Sequence, residues 1–451
     1  MHLTGLDFTV ILAYLASLSL MGVYFSRRQV SREEYLLGGR RVHWLLAGGS
    51  VVATLLSTIT FLSIPGEMVR YGLAYFTGLL GLPLAIPVVT RILLPKLMPL
   101  RITSMYEYLE QRYSAELRTL AAAVFTLRTL IWMGLVIYSC SLAVAEMTGW
   151  DLCWTIAITG LVTTFYASAG GLRTVIWTDN LQLAVLMSGA VAIPITIAGR
   201  TGIGPAGWWE VFSSAGRTQI QFFSIDLTIR LTVVGALLSQ FFWSACTQGS
   251  DQVAVQRYLS TPSLEAARRS AWTYLALNLA LLALLAICGL ALFAFYFQGS
   301  GLDVAEFQNQ IGPRADRLMP QFIVQELPPG VSGLLLAALL AAAMSSLSSG
   351  INSVAVVVSG DLLGCLRRGG EALSLARTKA VSVAGGLAAV ALALITTWAV
   401  RRTDWNLIDL SQRLNHLFVG PLAVLFFAGL LFPRNSSGGL VDFAGQIARN
   451  G

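Results

Sequence analysis

Ala341-Ala342-Ala343-Met344-Ser345-Ser346-Leu347-Ser348-Ser349-Gly350 lies in the middle of an apolar run that extends from 331 to 362. That run exceeds the ~20 residues needed to cross a hydrocarbon core about 30 Å thick, yet it carries four serines within 345–349. On a helix, Ala342, Ser345, Ser346 and Ser349 share one face at i, i+3, i+4 and i+7, and Ser345, Ser348 and Ser349 share an overlapping face. Two readings are open. Serine hydroxyls in membrane helices bond to the carbonyl one turn back, and small residues spaced four apart let helices pack closely. Alternatively, hydroxyl and carbonyl oxygens are hard ligands that replace the hydration shell of a small hard cation and suit soft metals poorly.

Outward from this segment the same apolar pattern recurs. The chain has 451 residues, 55% of them hydrophobic and 12% charged, where a soluble domain carries about a quarter charged residues. Its mean hydropathy is +0.69. Eleven spans are expected, at about 6–25, 43–64, 72–94, 119–147, 152–169, 176–199, 229–249, 270–297, 331–362, 379–400 and 407–432. The chain therefore reads as an all-α membrane protein of about 11 transmembrane helices, with the lipid bilayer as its partner and no large soluble domain.

The net charge of +7 does not point to nucleic acid, because the basic residues lie in short loops between the spans. Arg27, Arg28, Arg32, Arg40 and Arg41 follow the first helix, so the positive-inside rule places that end in the cytoplasm. The expected location is the cell (inner) membrane, multi-pass, with the N-terminus outside. The first run lacks a basic n-region and a small-residue cleavage site, and reads as a retained helix. Cys140, Cys153, Cys246, Cys288 and Cys365 show no zinc or disulfide spacing and read as packing thiols. The three histidines, His2, His43 and His416, are dispersed. No Walker A loop, nucleophile elbow or paired catalytic carboxylates occur, which speaks against an enzyme and against ATP as energy source. No obligate protein partner is implied.

The organisation expected is an extra helix and cytoplasmic loop (1–42), five helices (43–199), an outer loop with an interfacial helix anchored by Trp208 and Trp209 (200–228), five more helices (229–434) and a short polar tail (435–451). Five helices per set is an odd number, so the second set inserts upside down relative to the first. Transporters built this way place their sites near the midplane, at broken helices. Two helices look breakable at matching positions: the second span at Val51-Val52-Ala53-Thr54-Leu55-Leu56-Ser57-Thr58-Ile59-Thr60, and the seventh within 239–249, where Ser244, Thr247 and Gln248 fall mid-run. Pro328-Pro329-Gly330 is expected to open the ninth span with a proline in its first turn.

Asp179 is an ionisable residue inside a span, which marks a functional position by default. The blander alternative is hydration near the cytoplasmic end, or pairing with Arg173. Asp251, Gln252 and Arg257 read as a solvated cap at the inner end of the seventh span, and Asp361 stands beside Arg367 and Arg368. Trp243 and Tyr75 read as packing or interfacial belt residues.

Four stretches, in this order, resemble the sodium:solute symporter family: Tyr35-Leu36-Leu37-Gly38-Gly39-Arg40, Gly171-Leu172-Arg173-Thr174-Val175-Ile176-Trp177-Thr178-Asp179, Asp251-Gln252-Val253-Ala254-Val255-Gln256-Arg257-Tyr258-Leu259-Ser260, and Ala341 to Asn352. The likeness covers nearly the whole chain. It implies a LeuT-like core of ten helices in a 5+5 inverted repeat, preceded by one extra helix. It also implies a main sodium site built from the carbonyls of Ala53, Leu56 and Ala342 and the hydroxyls of Ser345 and Ser346. A further sodium site, present in members similar to the sialic acid carriers, maps to Asp179, Ser345, Ser348 and Ser349. The residues near the breaks, Ser57, Thr60, Thr77, Trp243, Ser244, Thr247 and Gln248, are the candidates for solute binding.

The asparagine, histidine and glutamate pattern of the family's sugar carriers is absent around the first break, where Leu55, Thr60 and Thr77 stand. The stretches 65–72 and 246–252 look closer to the carriers of monocarboxylates, carboxylate-bearing vitamins and iodide. The function implied is sodium-coupled import of a small solute, an organic anion such as a monocarboxylate, by alternating access. A passive uniporter and a sensory membrane domain derived from a symporter are the alternatives. Family members continue past the eleventh span, so a truncated reading frame is one account of the tail.

Overall fold

The computed structural model describes residues 4–27, 29, 31–224, 232–363, 373–400 and 407–431. Every regular element among them is helical. The elements used below are α1 (Gly5–Ser26), α2 (Trp44–Leu55), α3 (Thr58–Tyr71), α4 (Ala115–Thr148), α5 and α6 (152–170 and 172–201), α7 (Val233–Ser250), α8 (Gln252–Leu259), α9 (Leu264–Ser300), α10 (Val331–Val357), α11 (Leu375–Val400) and α12 (Leu407–Leu431). Their starts follow from the local sequence. Thr4, Ser57, Ser114, Asp151, Thr232 and Ser263 each turn a side-chain oxygen onto a first-turn N–H, satisfying donors that have no partner within the helix.

Seven helical runs among the described residues are long and apolar enough to cross a membrane. One of them, Leu152–Thr201, is interrupted at Gly171, whose φ of 58° and ψ of −162° leave the helical region. The chain reverses there. Gln182 Nε2 donates to the Tyr166 hydroxyl at 3.2 Å, although sixteen residues of straight helix would separate them by about 24 Å.

α10 is buried at every residue from Leu335 to Val357, packed by α4, α5, α6, α1 and α11. A helix apolar all round belongs at the centre of such an assembly, and here its hydroxyl stripe faces other helices. The outside of the bundle is apolar instead: Leu12, Leu20, Trp154, Ile195, Phe242 and Leu417 are each at least 60% exposed. Such a belt is suited to lipid. The start of α10 is set from outside its own sequence, since Asp7 Oδ1 on α1 accepts from the N–H groups of Gly330 and Gly333, both at 2.8 Å.

The structure corrects several expectations. α10 begins at Val331, after both prolines, with Gly330 as N-cap at φ 85°. The prolines therefore precede the first turn; a left-handed residue is needed at the cap to aim the N–H groups at Asp7. α7 runs unbroken through 239–249 and the break falls at Asp251 (φ −79°, ψ 120°). Mid-helix hydroxyls did not open the helix because they bond back along it, Thr247 to the Trp243 carbonyl and Ser250 to that of Cys246. In the segment 205–214, Trp208 is buried and only Trp209 faces outward. Of the cysteines, Cys153 is exposed, Cys140 and Cys288 are buried, and Cys365 lies outside the described residues.

Candidate functional site

The break between α2 and α3 is short. Leu56 and Ser57 take extended conformations (ψ 106° and 167°), so carbonyls in the last turn of α2 lose their helical donors. α10 supplies donors in their place. Ser345 Oγ lies 2.8 Å from the Ala53 carbonyl oxygen and 3.2 Å from that of Ala342, and Ser346 Oγ lies 3.0 Å from the Thr54 oxygen. Thr58, just past the break, donates to Leu339 O at 3.0 Å. The break is thus tied to α10 by three hydroxyls. Of the five expected ligands of a main sodium site, Ala53, Ala342 and Ser345 converge directly. Ser346 meets Thr54 O, which the sequence reading did not include, and Leu56 lies in the break itself.

Asp179 sits one layer away on α6, fully buried. Its Oδ2 accepts from Ser50 at 2.5 Å, Thr54 at 3.3 Å and Ser349 at 3.4 Å. Its Oδ1 has no hydrogen-bond partner. Ser348 points elsewhere, donating to the Ser345 carbonyl at 3.1 Å. The expected four-residue set therefore divides: Asp179 and Ser349 meet, while Ser345 and Ser348 bond to backbone.

The cation beside Asp179 is Arg257, not Arg173. Arg257 Nη2 lies 3.5 Å from Asp179 Oδ2 and also bonds to Ser349 Oγ, and its Nε donates to Ser50 Oγ at 3.1 Å. Arg173 pairs with Glu34 at 3.5 Å. The solvated cap expected at 251–257 is not what forms. Gln252 and Arg257 are fully buried and Asp251 is 9% exposed, because α8 turns back into the bundle after the break. Asp361 likewise pairs with Arg118 at 2.6 Å, while Arg367 and Arg368 lie outside the described residues.

Both breaks open onto one cavity of about 490 Å³, within the ~300–1,000 Å³ range of small-molecule sites. Ser57 and Thr60 line it from the first break, and Trp243, Ser244, Thr247 and Asp251 from α7 and the second. Thr77 and Gln248 are not brought to it. Thr77 bonds to the Ala74 carbonyl at 2.7 Å and Gln248 Oε1 accepts from the Tyr258 hydroxyl. Tyr75, Phe76, Trp132 and Arg128 line the cavity without having been singled out for it. For Arg128 a signal existed: it is a charge in the middle of an apolar span, flanked by Leu127 and Thr129.

Residues 35–447 match the family model described as Sodium:solute symporter family. The chain belongs to the sodium:solute symporter family. The sodium/sialic acid symporter SiaT of Proteus mirabilis is 32% identical over 447 residues, covering 97% of this chain and 86% of that protein. Human sodium-coupled monocarboxylate transporter 1 is 29% identical, covering 98% of this chain and 72% of its own length. A solved structure of a Na+-coupled sialic acid symporter, in a substrate-bound outward-open state and reported to reveal a novel Na+ site, superposes with a TM-score of 0.80 at 30% identity. It covers 95% of this chain and 87% of that one. A nucleobase-cation-symport-1 family transporter in a closed conformation shares the fold, at a TM-score of 0.54 and 15% identity over 88% of this chain and 80% of its own. The symporter family is one of multi-pass membrane transporters and not of enzymes, and the LeuT-like arrangement of the helices follows with it.

Proposed function

We propose that the chain imports a small organic anion, such as a monocarboxylate, together with sodium across the cell membrane by alternating access. The N-terminus lies outside, and the five-helix sets 43–199 and 229–434 are the two inverted repeats. The observation that carries this reading is the shared break. Leu56–Ser57 presents the Ala53 and Thr54 carbonyls to Ser345 and Ser346 on one side and lines the solute cavity on the other. An ion that takes those oxygens fixes the shape of the cavity, so it raises the affinity for solute, and solute raises the affinity for the ion by the same factor. Ala53, Leu56, Ala342, Ser345 and Ser346 form the main sodium site. Asp179 with Ser349 offers a second. The half-helices α3 and α8 both begin at the breaks, and their partly positive N-terminal ends favour an anion.

Uptake into proteoliposomes tests the reading, with carboxylates, amino acids and halides screened under an inward sodium gradient and under potassium. Uptake of an organic anion that collapses without sodium is the expected result. Flux indifferent to sodium would make the chain a passive uniporter and leave the serine stripe as packing.

A further inference from the structure

We infer that Arg128 reads the carboxylate of the solute, and that the cavity takes monoanions with a compact, largely apolar body. This rests on the reading that the cavity between the two breaks holds the transported solute.

Arg128 and Asp251 are the charged side chains among the described residues lining the cavity. Arg128 is 6% exposed, on α4, one helical turn before Trp132. Its Nη2 donates to Asp251 Oδ2 at 2.9 Å, and its guanidinium carbon lies 5.6 Å from the centre of the Phe125 ring. The group is thus held in plane and in direction. Its Nε–H is buried and meets no acceptor. A guanidinium presents five N–H donors in a rigid fork matched to a carboxylate, and a buried donor without an acceptor is costly to leave so. Arg128 lines the cavity, so a carboxylate that enters it meets a guanidinium whose fork is only partly taken up by Asp251.

Asp251 meets the guanidinium at Nη2. Its Oδ1 accepts from the Val253 N–H at 3.0 Å and caps α8, and its Oδ2 faces Arg128. The Arg128–Asp251 pair sums to zero, so the negative charge of the solute is matched by the sodium at the Ala53–Ser345 site. Tyr75, Phe76, Trp132, Trp243 and Leu282 supply flat apolar wall for the body of the solute.

The test measures melting temperature and tryptophan fluorescence of the purified full chain in NaCl and in KCl. Trp132 and Trp243 both line the cavity and report on its contents. The probes are lactate, pyruvate, benzoate and N-acetylneuraminate, and the amides lactamide and benzamide. At least one monocarboxylate should bind about tenfold or more tightly than its amide, as expected for a hydrogen bond to a charged donor. Arg128→Gln should erase that ratio and Arg128→Lys should restore part of it. If Arg128→Gln fails to fold because Asp251 is left unpaired, the double variant Arg128→Gln with Asp251→Asn, which removes both charges, should erase the ratio instead.

A variant that lacks the guanidinium and still favours carboxylate over amide overturns the assignment. So does a wild type that prefers an amide, or that binds none of the monocarboxylates. Discrimination that depends on Arg128 but persists unchanged in KCl would uphold Arg128 and remove the sodium-coupled reading, so the two fail separately.

Discussion

Arg257 Nη2 stands 3.5 Å from Asp179 Oδ2, and both side chains are fully buried. A carboxylate and a guanidinium in such a place hold each other's charge, and removing one leaves the other stranded. The same guanidinium occupies Ser349 Oγ, so it takes two of the oxygens that a cation bound to Asp179 would use. Sodium and Arg257 together would place two cations on one carboxylate in a dry site. A sodium ion at Asp179 therefore requires Arg257 to withdraw, and Arg257 lies on α8, directly behind the break that lines the cavity. The proposed ion and solute sites would be joined through this short helix.

Arg257→Gln should then be destabilised in potassium by about 3–5 kcal/mol, the usual cost of orphaning one member of a buried pair. Sodium should recover much of that loss by taking the place of the guanidinium. The measurement is the difference in melting temperature between NaCl and KCl, which should be larger for the variant than for wild type. An equal difference in both proteins would mean that Asp179 takes no sodium even when its partner is removed.

Ser345→Ala combined with Ser346→Ala removes two donors to the broken end of α2. Each such hydrogen bond contributes about 0.5–1.5 kcal/mol to stability, so the protein should still fold, with a lower melting temperature. Sodium should respond more strongly than stability does, because the hydroxyl oxygens are also ion ligands in the proposed site. The half-saturating sodium concentration for uptake in proteoliposomes should rise about tenfold or more. Wild-type sodium dependence in the double variant would reduce these serines to packing.

The apolar helices and a break within 51–60 were legible because each depends on local pattern, apolar length and a run of small and hydroxylated residues, whereas the proximity of Ser345 and Ser346 to that break came with the family resemblance. Asp179 was legible as a charge in an apolar run, but its partner was not. Arg173 is six residues away in sequence and Arg257 is seventy-eight, and nothing in the spacing says that α8 folds back under α2. The second break was misplaced for a similar reason. Ser244 and Thr247 looked able to open α7, while the residue that does so is an aspartate whose side chain caps the next half-helix. Arg128 was within reach of the same rule that marked Asp179.

Asp7 ties the extra N-terminal helix to the core. Its Oδ1 takes the N–H groups of Gly330 and Gly333 at the start of α10, and its Oδ2 takes the N–H and the hydroxyl of Thr4. Asp7→Ala leaves these buried donors unmet and removes a negative charge from a helix N-terminus, at a cost of about 1–2 kcal/mol. A fall in melting temperature of several degrees is expected, with the sodium half-saturation of uptake unchanged. A shift in sodium dependence instead would mean that the position of α10 along its own axis, and with it the Ser345–Ala53 contact, is set by α1.

Gly171 makes the reversal that brings Asp179 back alongside α5. Its φ of 58° favours glycine, and an added Cβ would stand 2.5 Å from the Tyr35 carbonyl oxygen and 2.7 Å from its ring. Tyr35 is itself fixed, its hydroxyl bonded to Ser382 at 2.7 Å and to the Ser168 carbonyl at 3.0 Å, so it cannot give way cheaply. Gly171→Ala should therefore cost more than the ~1–3 kcal/mol of left-handed strain alone. The part that reaches function is the register between α5 and α6. The Tyr166–Gln182 hydrogen bond spans this turn, and Asp179 lies one turn of α6 before Gln182. Uptake by Gly171→Ala should lose its sodium response along with stability, whereas Tyr35→Ala with Gly171→Ala, which removes the contact with the ring and keeps the one with the carbonyl oxygen, should recover only part of both. Measuring sodium half-saturation and melting temperature for the single and double variants decides it: a double variant no better than the single one would place the defect in the backbone at 171 and its contact with the Tyr35 carbonyl, and not in the contact with the ring.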